Sequence, residues 1–335
     1  MFEFSVIGGK TARDIIRRSR KQIVDEVRAT YLAHEDGDSV NPNSYFLRFP
    51  EKPDSRIIAL PAYLGGEYNV AGIKWISSFP GNIEHKVPRA SAALLLNDYA
   101  TGYPFACLEA SQISAARTAA SAVLAAQELT GKRTAKRLAI VGAGIIARNI
   151  LEFFEAQQWT VDDLVIHDRI PAYGQAFAEY ADADLGYPAR VEADLKTAVD
   201  GADLVVFATT AGEPYVLDPA AFTPGQIVLN ISLRDIGPEI IVAAQNILDD
   251  VGHCMTANTS PHLAEQKYGH REFIDGTLAQ VIRGQVEIAT DRPVIFSPFG
   301  LGVLDLAVGT HVYRTAQESG EAVEISDFFG ETQRW

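Results

Sequence analysis

The sequence predicts an α/β protein, a doubly wound parallel sheet joined to a second, α+β domain. Three observations carry this. The chain has 335 residues, which is more than one ordinary core holds. From residue 137 onward, short apolar runs (137–141, 164–167, 204–209, 227–231, 246–248 and 294–296) alternate with helical stretches. The first of those runs ends in Gly142-Ala143-Gly144-Ile145-Ile146-Ala147, a G-x-G-x-x-A loop entering a helix.

The first third of the chain reads differently. Residues 11–36 place Ile15, Ile16, Ile23, Val27 and Tyr31 at helical spacing and predict a surface helix. Residues 43–49, 56–64, 68–78 and 90–98 read as strands, with Pro53, Gly65, Gly66, Pro80 and Gly81 marking the loops. A long helix follows over 111–129, with Gly131 as its stop. Another spans 302–318 before a short tail. These elements assign 119–305 to the nucleotide domain, and 1–118 with 306–335 to the other.

Composition narrows the partners. Hydrophobic residues make up 47% and charged residues 21%, as in a folded globular enzyme. The net charge of −14 disfavours nucleic acid and anionic membranes. No secretory signal and no membrane span is visible, and two cysteines (Cys107 and Cys254) make no disulfide framework, so a cytoplasmic location is expected. Seven histidines, including His253, His262 and His270, fit no metal-ligand spacing, and no metal is expected.

The glycine loop is specific only in context, and the context of 136–168 is right. Gly142 allows the tight turn, Gly144 lets backbone approach a pyrophosphate, and Ala147 lets the helix pack close. The helix N-terminus offers free N–H groups to phosphates. Asp168 ends the next strand, a little beyond the usual roughly 20 residues. A carboxylate there accepts from a ribose 2′-hydroxyl and repels a 2′-phosphate, which favours NAD over NADP, although Arg169 beside it softens that choice. The pattern is that of a Rossmann-type domain.

Three charged residues lie in apolar surroundings. Lys74 shares a strand face with Val70, Gly72 and Ile76, either exposed at an edge or aimed into a pocket for an anion. Arg117 lies among alanines and needs a carboxylate, from a ligand or from a salt bridge. Asp235 follows the run 227–231, where ligands of open α/β sheets bind. It reads as a general acid/base or as a turn or cap residue.

With these residues in view, the chain resembles the ornithine cyclodeaminase/mu-crystallin family over nearly its full length. The likeness rests on Gly72-Ile73-Lys74-Trp75-Ile76, Gly102-Tyr103-Pro104, Ala116-Arg117-Thr118-Ala119-Ala120, the Gly142 loop and an Asp five residues after Asn230. The resemblance implies that Arg48, Lys74 and Arg117 bind a substrate carboxylate, and that Asp235 and Lys74 are catalytic. It implies NAD contacts at Thr118, Gly142, Ala143, Gly144, Ile145, Ile146, Asp168, Arg169, Thr209, Ser232 and Gly300. It also implies a substrate-binding and dimerisation domain built from both chain ends, hence a homodimer.

Further segments (Arg56-Ile57-Ile58-Ala59-Leu60-Pro61, Pro88-Arg89-Ala90-Ser91, Leu108-Glu109-Ala110-Ser111 and Asn230-Ile231-Ser232) are similar to one branch of that family. That branch oxidises a glutamate conjugate, N-(2-amino-2-carboxyethyl)-L-glutamate, to 2,3-diaminopropionate and 2-oxoglutarate for siderophores and peptide antibiotics. Ornithine cyclodeaminases carry a Glu shortly before the Pro61 position, where this chain has Ile57-Ile58-Ala59. Arg89 would be a fourth substrate-binding cation, suited to a substrate with three carboxylates. Ser297-Pro298-Phe299-Gly300 departs from the branch's usual Asn-Pro-Met-Gly. Ornithine cyclodeaminase, alanine dehydrogenase, cyclic-imine reductase and a non-catalytic NAD(H)-binding protein are the alternatives within the family.

Overall fold

A computed structural model of the chain describes residues 3–334. The chain divides into two compact units, Met1–Arg117 with Leu301–Trp335, and Thr118–Gly300. The second division point therefore falls at 300/301, and not at 305/306 as the sequence suggested. The reason is that the helix Gly302–Glu318 belongs whole to the first unit, where it packs on the long helix Gly9–Glu35 and on the sheet.

The first unit holds a mixed sheet. Its strands are β1 (Ser5–Ile7), β2 (Ser39–Val40), β3 (Tyr45–Phe49), β4 (Lys52–Leu64), β5 (Val70–Ser78), β6 (Ala90–Asp98) and β7 (Pro104–Glu109). A last strand, Val323–Glu324, closes the edge, and the order is Val323–Glu324, β1, β7, β6, β5, β4, β2, with β3 paired to β4. The four strands read from sequence are β3 to β6. The other four went unread because β1, β2 and Val323–Glu324 are only two or three residues long and β7 opens on a proline. The helix Gly9–Glu35 buries Ile15, Ile16, Ile23, Val27 and Tyr31, the residues its spacing selected.

Register decides what each face of this sheet carries. On one face Lys74 stands between Leu60 and Leu94. On the other, Tyr45, Ala59, Trp75 and Ala93 form a cross-strand row, and Pro61, Ile73 and Leu95 form the next. The Lys74 face is covered by the helix Gly302–Glu318, and closeness there depends on Gly72. A Cβ at Gly72 would lie 2.3 Å from the Leu95 carbonyl oxygen and 2.8 Å from Leu306 Cδ2.

The second unit holds an all-parallel sheet. Its strands are β8 (Thr134–Val141), β9 (Thr160–His167), β10 (Ala189–Val191), β11 (Leu204–Phe207), β12 (Ile227–Asn230), β13 (Gln245–Leu248), β14 (Ile274–Thr277) and β15 (Val294–Ser297). The order is β10-β9-β8-β11-β12-β15-β13-β14. β8, β11, β12, β13 and β15 supply a continuous buried core that includes Val141, Val205, Phe207, Val228, Leu248 and Ile295. The order reverses between β8 and β11, so the crevice for a ligand lies past the carboxyl ends of those two strands. β11 stops at Phe207 and β12 at Asn230, shorter than the apolar runs implied, which leaves Thr209 and Ser232 in the loops at that edge. No helix among the described residues is long and apolar enough to cross a membrane.

Gly72→Ala forces backbone to move, so it should destabilise the first unit by about 2 kcal/mol. The check is the denaturation midpoint, and a midpoint equal to that of the unaltered protein would refute the close approach.

Candidate active site

The glycine loop has the form a dinucleotide needs. β8 ends at Val141, and Gly142 follows with φ +100°, a conformation side chains rarely adopt. A Cβ there would meet the Ala208 carbonyl oxygen at 2.6 Å, just past β11. Gly144 caps the helix Ile145–Ala156 with no side-chain acceptor on the first turn, and the space beside its Cα is open. The first N–H groups of that helix are therefore left for a phosphate. Ala147 is fully buried, as the third small position requires.

Asp168 closes this loop. One of its carboxylate oxygens accepts the Ala143 N–H at 2.8 Å, and the other accepts the Ile170 N–H at 2.8 Å. Each oxygen keeps a lone pair for a ribose hydroxyl. Arg169 and Ile145 point into solvent, and Ile146 is half-buried.

Asp235 sits at the same edge of the sheet, five residues past the end of β12, and is completely buried. The hydroxyls of Thr209 and Ser232 donate to its two carboxylate oxygens. Its carbonyl accepts the N–H groups of Tyr215 and Val216, each at 3.0 Å. Tyr215, on the same loop as Thr209, has its phenol pKa raised above the ordinary tyrosine range by desolvation and by the nearby Asp235 carboxylate. Thr209 and Ser232, expected at the cofactor, thus also hold Asp235. Tyr215 was not visible to sequence reasoning, since a tyrosine in a loop carries no spacing signal. Gly300, also expected at the cofactor, gives its N–H to Asp249 at 2.7 Å, and Phe299 gives its own at 2.9 Å. Burial raises the Asp249 pKa, and these two donors oppose the rise.

In the first unit, Lys74 and Arg117 come together on a residue the sequence reading missed, Asp305. Lys74 Nζ lies 2.6 Å from one Asp305 oxygen, and Arg117 Nε lies 3.2 Å from the other. Lys74 is 1% exposed and Asp305 is 0% exposed. Ser114 Oγ accepts from Lys74 at 3.1 Å. Two cations on one carboxylate leave a net positive charge when Lys74 is protonated. Burial pushes the Lys74 pKa down to about 8; Asp305 resists the shift and Arg117 adds to it. The signal for Asp305 was an acid inside the apolar run Gly302-Val303-Leu304-Asp305-Leu306-Ala307.

Arg48 and Arg89 do not join that cluster. Arg48 is exposed on β3, over the Phe46 ring at 5.2 Å. Arg89 is half-buried, and its Nη1 donates to Ser78 Oγ at 2.8 Å. Thr118 begins the second unit, next in chain to Arg117.

A glycine loop at the end of β8, closed by an acid past the next strand in a parallel sheet, defines a dinucleotide-binding protein. The chain belongs to the ornithine cyclodeaminase/mu-crystallin family, whose model matches residues 11–320. It is 30% identical over 311 residues to N-((2S)-2-amino-2-carboxyethyl)-L-glutamate dehydrogenase of Staphylococcus aureus, covering 88% of this chain and 90% of that protein. The fold matches Thermococcus litoralis Δ1-pyrroline-2-carboxylate reductase in complex with NADH and L-proline, with TM-score 0.88, 22% identity, and coverage of 96% of this chain and 100% of that one. It also matches an archaeal alanine dehydrogenase dimer with bound NAD, with TM-score 0.85, 23% identity, and coverage of 98% and 100%.

The lowered Lys74 pKa has a measurable sign. Between about pH 8 and the ordinary lysine value of 10.5, the unfolded chain keeps a proton on Lys74 that the folded chain has released. Stability therefore rises with pH across that window, by up to about 1.4 kcal/mol per pH unit from this group, and the contribution is constant below it. Urea midpoints at about pH 8 and about pH 10 should rise more steeply for the unaltered protein than for Lys74→Met. Equal slopes would show that Lys74 titrates normally.

Proposed function

We propose that the protein is an NAD-dependent oxidoreductase acting on the CH–NH bond of an amino acid, with N-(2-amino-2-carboxyethyl)-L-glutamate as substrate. The observation that carries this reading is the net-positive cluster of Lys74, Arg117 and Asp305 in a chain that also carries the Gly142 loop. The likeness to the Staphylococcus aureus dehydrogenase supports the particular substrate. So do two features of this chain. Ile57, Ile58 and Ala59 offer no carboxylate for an ornithine side-chain amine. Arg48 and Arg89 have no acidic partner among the described residues, which suits a substrate with several carboxylates.

The residues of the Gly142 loop fit NAD, and the group, when bound, supplies the hydride acceptor. Asp168 takes the ribose hydroxyls on its remaining lone pairs and disfavours a 2′-phosphate. Lys74 and Arg117 hold the carboxylate beside the carbon that is oxidised and stabilise charge developing there. Asp235 accepts the proton of the secondary amine as the C–N bond becomes C=N. After that proton has passed to solvent, Asp235 takes one from the water that adds to the imine carbon. Cleavage of the C–N bond, with a proton returned to the leaving nitrogen, gives 2-oxoglutarate and L-2,3-diaminopropionate. One water is consumed, and one hydride and one proton leave the substrate. The diaminopropionate would serve siderophore or peptide-antibiotic assembly.

The same reading includes a homodimer in the cytoplasm. The sheet face opposite Lys74 presents Trp75 at 43% exposure and Leu95 at 37%, amid Ala59, Pro61, Ile73 and Ala93. Uncovered apolar rows of this kind suit a second copy of the chain, and the archaeal alanine dehydrogenase neighbour is a dimer.

Two outcomes test these assignments. Asp235→Asn should lower NADH formation from the glutamate conjugate by about a thousandfold while NADH fluorescence titration still saturates. Wild-type turnover in that variant would remove Asp235 from the mechanism, and proline formed from ornithine would overturn the substrate. Trp75→Glu should shift the protein to monomer in size-exclusion chromatography with light scattering, whereas an unmoved dimer would place the interface elsewhere.

A further inference from the structure

The face of the first unit's sheet that carries Lys74 holds two more cross-strand rows. Two residues along from Lys74 lies an apolar row, Phe46, Ile58, Ile76 and Ala92, all half-buried. Two residues further lies Arg48, Arg56 and Ser78. Directly opposed residues of antiparallel strands share a face, so both arginines stand on the side of Ser78. Arg89, from the segment entering β6, reaches the same point through its 2.8 Å bond to Ser78 Oγ. Lys74 and Ser78 are four residues apart on β5, so the two charged rows are roughly 13 Å apart along the strand.

Arg48 and Arg89 differ from Lys74 and Arg117 in their partners. Lys74 and Arg117 share Asp305, but among the described residues no carboxylate pairs with Arg48 or Arg89. Burial lowers the Arg89 pKa, the direction expected of a guanidinium taken from water without a counter-ion. A half-buried arginine held in place by a neutral hydroxyl still has donors to give, and its planar fork suits a carboxylate.

We propose that Arg56, Ser78 and Arg89, with Arg48 on the neighbouring strand, form a second anion subsite that takes the distal carboxylate of the substrate. This rests on the reading that Lys74 and Arg117 take the first carboxylate. The apolar row between them lies under the aliphatic span of the ligand. The ligand class is an elongated amino acid with a carboxylate at each end and methylenes between. Ser78 orients the Arg89 guanidinium, and Arg56 adds charge from the adjacent strand. Ornithine, alanine and cyclic imino acids each carry one carboxylate and leave this subsite unfilled.

The test compares adipate with hexanoate, equal in length but differing by one carboxylate, by isothermal titration of the NAD-loaded protein. The unaltered protein should bind adipate more tightly by about tenfold. That ratio should fall to about twofold or less in Arg89→Gln, and by a few-fold in Ser78→Ala and Arg56→Gln. Arg89→Lys, which keeps the charge and loses the fork, should give an intermediate ratio and guards against a folding defect in the glutamine variant. Equal affinity for the two acids in the unaltered protein, or a ratio that survives Arg89→Gln, overturns the subsite. The readout needs no turnover. Adipate selectivity that depends on Arg89, with no NADH formed from the glutamate conjugate, supports the subsite and sinks the dehydrogenase reading. NADH formation with a ratio unmoved by Arg89→Gln does the reverse.

Discussion

A lysine with almost no exposure must be neutral or paired, and in this protein Asp305 is the pair. Much of the first unit follows from that requirement. β5 has neighbours on both sides, so Lys74 cannot turn to water at a sheet edge. Gly72, two residues away on the same face, lets the helix bearing Asp305 come close enough to reach the ammonium. The same carboxylate takes Arg117 on its other oxygen, which ties the helix that begins at Ser111 to the helix Gly302–Glu318. A lone carboxylate under two cations is an unequal balance. It gives both cations a counter-charge away from water.

The second unit solves a related problem with hydroxyls. Asp235 is as buried as Asp305, but its neighbours are Thr209, Ser232 and Tyr215, none of them a cation. Hydroxyl donors satisfy a buried carboxylate without a counter-ion. The two acids of the two units thus differ in their partners. Asp305 meets two cations, and Asp235 meets only hydroxyls.

The sequence carried the parts of this arrangement that depend on local spacing. Strand alternation placed Lys74 on the face of Val70 and Gly72, and that face is the covered one. The glycine loop and Asp168 were legible because a tight turn, a close approach and a strand-end acid each demand a residue type at a set interval. Asp305 was not legible. It meets Lys74 across 231 positions of chain, and no periodicity links the two. Tyr215 and Ser114 were missed for the same reason, since hydroxyls are common on surfaces and only tertiary contact gives them a partner. The sequence put this division at 305/306 rather than 300/301 because an apolar helix reads alike in either unit until its packing is seen.

The first unit is discontinuous in the chain, and this sets an order of assembly. The residues 118–300 form a sheet whose every strand lies within that span, so it can close as soon as the ribosome has released them. The first unit, although it begins to emerge earlier, cannot. Until Asp305 has been made, burying Lys74 would leave an ammonium with no counter-charge, and the face of β5 would lack the helix that covers it. The N-terminal third of the chain therefore completes its unit only once the helix Gly302–Glu318 has been made. Its apolar sheet stays uncovered for as long as translation of the intervening residues takes, and it is on that interval that chaperones would act.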